Sequence, residues 1–252
     1  MSFKNLFVSV LCAAFFLAAH GACRGASPTS PNATDLAVLT AKSPTGQAVG
    51  SPVPTATPGS PAVVPFAGLP EEVQSYLLAT NIKSPRAGLS GGVTRFNKTD
   101  QGKRIPILLY AEGFPPDQVE KAVAVLGNDL FEIVSSSTTA DVVADLDSSK
   151  VPDRGCSTVS QDVDIASHVI VKAVIHVSPD RSGCPRAGED ALAIALAHEL
   201  GHAVGLFGDI AHTRPGEDFM AIAGRKLLLS PMLAAAIGWL YSAPPGWTTQ
   251  LY

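Results

Sequence analysis

Downstream of about Phe66, apolar positions recur with alternating strand-like and helix-like periods. "LPEEVQSYLLATN" predicts a short helix over Pro70–Asn81, with acidic residues in its first turn. "RIPILLYAEGF" reads as an apolar strand bounded by proline and glycine. After it, Val119, Val123, Leu126, Leu130 and Ile133 return every three or four residues, the stripe of an amphipathic helix lying on a sheet. "ADVVADLD" predicts a second short strand. "HVIVKAVIHVSP" is the strongest strand signal: Val169, Val171, Ala173, Ile175 and Val177 share one face, and His168, Lys172 and His176 the other. "GEDALAIALAHELGHAVG" predicts a long helix stopped by Gly205 as a C-terminal cap, and "LLLSPMLAAAIGWLY" a last helix. No regular βαβ period and no internal repeat appear, so the expected class is α+β, with helices packed on one sheet.

The chain ahead of Phe66 has a different character. Met1–Ala22 carries Lys4, the apolar run Leu6–Ala19 and then small residues, the pattern of an export signal. That run is too short to span a bilayer comfortably. "AAHGAC" then resembles the lipobox of bacterial lipoproteins, with His20 where an aliphatic residue is usual, which implies a lipidated Cys23 and membrane attachment. Residues 23–65 are dense in Pro, Ser, Thr, Ala and Gly, a tether that cannot bury enough apolar surface to fold. A cell-envelope lipoprotein and a secreted protein with a flexible tail both fit. Residues 66–252 remain as one folded domain, expected to be monomeric.

Composition narrows the partners. The net charge is -4 and no Lys/Arg run occurs, which argues against nucleic acid. Hydrophobic residues make up 46% of the chain, enough for a packed core. Of four cysteines, Cys156 and Cys184 are the pair left in the exported domain. A disulfide between them would close a loop of roughly 27 residues, worth about 3–4 kcal/mol.

The candidate chemistry lies in "AHELGHAVGLFGDIAHTRPGEDFM", Ala197–Met220. On a helix, four residues rotate by about 400° and rise about 6 Å, so His198 and His202 project from one face within reach of one ion. Glu199 lies beside that face, placed to take a proton from water rather than to ligate. Zinc in such a site lowers the pKa of a bound water toward about 7. Catalytic zinc needs a third protein ligand.

"HELGHAVG" followed by a methionine turn resembles the metzincin zinc peptidases, the matrixin-like ones in particular. In that family the glycine bends the chain back and the third ligand falls ten residues after the first histidine, a position held here by Gly208. Counted back from the methionine, matrixins place the third histidine eight residues earlier, and 220 - 212 = 8. The resemblance therefore aligns His212 with the third ligand and Met220 with the Met-turn, with "GDIA" as a short insertion. Asp209 stays open as the alternative ligand, and Glu217, after Pro215-Gly216, fits poorly.

The resemblance spans roughly Val93–Tyr241 and implies a metzincin-like catalytic domain: a twisted mixed sheet, a long active-site helix and a C-terminal helix. It implies a zinc-dependent endopeptidase acting on peptide or protein substrates, with Glu199 as general base. A non-catalytic zinc-binding surface lipoprotein of the same fold is the alternative. No "PRCGxPD" switch is present, and "AIAGRKLLL" after Met220 lacks the Tyr or Pro that often shapes the family's specificity pocket. His168 and His176 are expected to be surface or packing residues.

Overall fold

Apolar runs flanked by proline and glycine pair into the centre of a sheet, because only strands can bury them on both sides in so few residues. The computed structural model describes residues 65–84, 91–100, 103–127, 129–152, 155–179, 190–223 and 225–248. The expected signal, Cys23 and the tether lie outside the described residues, and so does Cys184. All described residues fall in one compact unit, and a second unit, Ser27–Ala62, contains none of them. No helix among them is long and apolar enough to cross a membrane.

The order is α1 (Glu71–Leu77, continued by a π-helical turn Leu78–Ile82), the small hairpin β1 (Thr99–Asp100) and β2 (Lys103–Arg104), then β3 (Ile107–Glu112) and α2 (Pro116–Leu126). β4 (Phe131–Ile133), β5 (Val142–Leu146), β6 (Ser157–Asp164), β7 (Val169–Val177), α3 (Ala191–Ala203) and α4 (Pro231–Leu240) follow. The main sheet is five-stranded and mixed, ordered β4-β3-β5-β7-β6, with all pairs parallel except the antiparallel β6–β7. The α+β expectation agrees with this architecture. α3 packs against β6 and β7 and beside α2, while α1 packs on α4. Ala193, Leu196, Ala197, Leu200 and Ala203 of α3 share one buried core with Ile107, Leu109, Ala173, Ile175 and Val177 of the sheet.

Two sequence expectations change, and one strand, β6, comes without a sequence signal. The helical stripe assigned through Ile133 stops at Leu126, because Gly127 turns the chain at φ 105°. Leu130 then packs in the core as a loop residue, and Phe131–Ile133 becomes an edge strand parallel to β3. On β7, the pairing shifts between Asp162/Lys172 and Val163/Ile170, leaving Val171 as a bulge residue that is 60% exposed. The bulge reverses the facing, so Ile170, not Val169 or Val171, joins Ala173, Ile175 and Val177 in the core. β6 carries no apolar run, since its polar residues serve an edge, and its strand character comes from pairing with β7.

Candidate metal centre

α3 is all but enclosed along its second half, with His198, Glu199 and His202 all buried. It ends as the glycine predicted. Leu206 N–H donates to Gly201 O at 3.2 Å and Gly205 N–H to His202 O at 3.0 Å, the double bond of a Schellman cap, with Gly205 at φ 117°. A short 3-10 turn, Asp209–Ala211, then carries the chain back to His212. The return loop is held from below by the α1 segment. Phe207 N–H donates to Thr80 O at 2.8 Å, Asn81 Nδ2 to Gly205 O at 2.7 Å, and Tyr76 Oη to Ala211 O at 2.7 Å.

This folding brings His198, His202 and His212 together, with one ligating atom from each within 4.8 Å of the others. His198 Nε2 and His212 Nε2 are 3.2 Å apart, close to the roughly 3.3 Å edge expected for a tetrahedral site with about 2.0–2.1 Å metal–nitrogen bonds. The rings are oriented through their other nitrogens. His198 Nδ1 faces Phe219 O at 3.0 Å and His202 Nδ1 faces Leu206 O at 2.6 Å, so each Nδ1 carries the proton and donates. That turns the acceptor Nε2 of both rings toward the cluster, although in this structure the one on His198 accepts from Arg225 Nη2.

Electrostatics keep two of the imidazoles, His198 and His212, neutral. Burial first, then His202 and the Arg225 guanidinium, hold His198 well below the usual histidine range. The same causes push His212 down to about 4, partly opposed by Asp209 and Glu199. Neutral imidazole is the form that ligates a metal. Three imidazole nitrogens converging at this spacing fit a divalent ion, and they do not by themselves select zinc.

Asp209 is exposed at the start of its turn and is not part of the three-residue cluster; it acts on His212 as a nearby charge. Glu217 is exposed and accepts from Arg214 N–H. His176 pairs with Asp145 at 2.7 Å, and His168 turns the β6–β7 hairpin at φ 56° beside Thr94, so neither reaches the cluster.

Met220 is fully buried against Gly201, which stands between His198 and His202 on α3, and an added Cβ there would come within 2.5 Å of the Met220 sulfur. Asp218 braces that turn, accepting from Thr213 Oγ1 at 2.6 Å and from Met220 N–H at 2.9 Å. Glu199 Oε1 sits 4.0 Å from His198 Nε2 and accepts a hydrogen bond from Ser157 at the head of β6. Gln161, further along β6, donates to His202 O at 2.7 Å. Arg225 reaches in from the loop after Met220, its Nη2 3.1 Å from His198 Nε2.

Ser157, Asn81, Tyr76, Asp218 and Arg225 were not singled out by sequence, because none belongs to a local pattern and each arrives by long-range folding. The acidic–apolar stretch "GEDFM" was the one signal that could have marked Asp218. Compared with known proteins, the chain matches no family model and no curated protein.

Proposed function

We propose that the chain is an exported zinc-dependent endopeptidase of the metzincin type. One observation carries the reading: three histidine nitrogens within 4.8 Å, two of the rings locked by backbone carbonyls, with the buried carboxylate of Glu199 beside them. The methionine under Gly201 and the mixed sheet with its long helix support the same assignment.

His198, His202 and His212 would hold the metal, which supplies a Lewis acid that acidifies water and polarises a carbonyl. Glu199 takes a proton from the attacking water as its oxygen bonds to the carbonyl carbon. It returns that proton to the amine nitrogen as the C–N bond breaks, so it ends the cycle ionised. The Ser157 hydroxyl steadies the Glu199 carboxylate through both transfers. Among the described residues β6 has one sheet neighbour, β7, so its other side is an edge along which an extended peptide could add as a further strand. Ser157 and Gln161 fix that edge strand to α3, which keeps the peptide register tied to the centre.

The test is Glu199→Ala in the full chain. It should retain zinc at one equivalent and lose hydrolysis of a generic protein substrate by at least about 100-fold. Undiminished cleavage, or wild-type cleavage insensitive to a hydroxamate chelator, sinks the mechanism.

A further inference from the structure

His198 and His202 are held twice over, by the helix they share and by the carbonyls at their Nδ1 atoms. His212 follows the short turn Asp209–Ala211 in extended backbone. Among the described residues no carbonyl faces its ring, whose one hydrogen-bond contact is with His198 Nε2 at 3.2 Å. A ligand ring without such a partner is fixed only as well as the peptide units on either side of it.

After His212, the chain is tied to the turn around Met220. Thr213 N–H donates to Met220 O, Thr213 O accepts from Ile222 N–H, and the Thr213 hydroxyl donates to Asp218 Oδ1. Before His212, the corresponding tie comes from a distant part of the chain. Tyr76 Oη on α1 donates to Ala211 O at 2.7 Å, across 135 residues of sequence. One helical turn further on, Thr80 O accepts from Phe207 N–H, and the Asn81 amide donates to Gly205 O. The same segment thus grips the loop where it leaves α3 and again where it delivers His212. Tyr76 packs against the core, and burial, then the Asp218 charge, push its phenol up, so it remains a donor.

Resting on the three-histidine centre proposed above, we propose that Tyr76 is a positioning residue for the third ligand: through Ala211 O, its hydroxyl sets where His212 meets a divalent ion. It does for His212, one peptide back, what Phe219 O and Leu206 O do for the other two rings. Loss of the donor frees Ala211 O to turn with its peptide, and the imidazole that follows swings with it. The first helix of the domain thereby takes part in the centre without contributing a ligand.

The test is a double-mutant cycle in the full chain, with zinc affinity measured by chelator competition. Tyr76→Phe keeps the ring and removes the donor, and it should bind zinc about 10-fold more weakly than wild type. In a His212→Gln background the same change should leave zinc affinity within about twofold, because the ligand it places is gone. Equal losses in both backgrounds would mark Tyr76 as a general packing residue and overturn the proposal, as would an unchanged affinity in the first. Cobalt gives a second readout where His212→Gln binds zinc too weakly to close the cycle. The visible absorption of cobalt-loaded Tyr76→Phe should then be weaker than that of wild type, as water takes the place of the misplaced imidazole and the geometry changes. A spectrum equal to wild type overturns the proposal in that case. If the wild type binds zinc yet cleaves no peptide, the peptidase reading fails, while the cycle still upholds or overturns the role of Tyr76. A wild type that binds no zinc overturns both.

Discussion

Replacing glycine by alanine at two positions should change stability with opposite signs. At Gly205, φ is 117°, and an added Cβ would lie 2.7 Å from the Thr94 backbone oxygen and 2.9 Å from Asn81 Nδ2. Holding alanine in that backbone conformation costs about 1–3 kcal/mol, and the overlap with fixed atoms about 1–3 more. The sum is about 2–6 kcal/mol, and a domain of this size loses about 2–4 °C of Tm per kcal/mol. Neither neighbour can yield, because Asn81 Nδ2 is donating to both Thr94 O and Gly205 O at 2.7 Å. At Gly238, an exposed position inside α4, the new Cβ meets nothing within 4 Å. Alanine there should stabilise by about 0.5–1 kcal/mol through helix propensity alone. Urea unfolding of the metal-free chain measures both. Gly205→Ala should also weaken divalent-metal binding at the proposed site by about 10-fold or more, since Leu206 O next door orients His202. A Gly205→Ala variant within 1 kcal/mol of wild type, or both variants shifting the same way, would refute the reasoning (the threshold being about half the lower bound).

Asn81→Ala leaves two buried carbonyls and the Thr94 N–H without their side-chain partner, so unfolding free energy should drop by about 2–4 kcal/mol; a drop under about 0.5 would show that the cross-link is dispensable. Acidification should destabilise the metal-free chain. His212 titrates at about 4 when folded against 6.5 when unfolded, so the unfolded chain binds more protons between those values. Stability is therefore fully present above about pH 6.5 and declines as pH falls toward 4. Urea midpoints across this range should fall less steeply for His212→Gln than for wild type, and an equal slope would remove His212 from the account.

How much of this was legible in the sequence depends on how far each signal reaches. His198, Glu199 and His202 are fixed by helical spacing over five residues, and a helix so apolar could only be buried. His212 came from counting back from Met220, and the fold brings it to the other two histidines. The stripe Val119–Ile133 misled past Gly127 because Leu130 and Ile133 keep helical spacing by coincidence while belonging to a turn and a strand. Val171 misled because a bulge depends on the partner strand, and β6 has no apolar alternation of its own to announce it. Arg225 was invisible for a similar reason: its position is set by a chain reversal held by backbone hydrogen bonds and the Asp218 carboxylate, none of which shows in a local pattern.

The loop Leu206–His212 is tied at several points through its own backbone atoms, which do not depend on the loop's side chains. Thr80 O, Gly201 O and Gly208 O accept its amide hydrogens, and the Tyr76 hydroxyl holds Ala211 O. Beyond it, Thr213 and Ala221 are bridged to each other, which sets His212 relative to Met220 rather than relative to His198. Length between Gly208 and Ala211 can therefore vary at little energetic expense, with Asp209 and Ile210 pointing into solvent. Relatives of this chain would share the interval from the last histidine to the methionine and differ in the interval before it. A pattern built on one fixed spacing from the helix would pass over them, whereas one anchored at both ends with an elastic middle would gather them in.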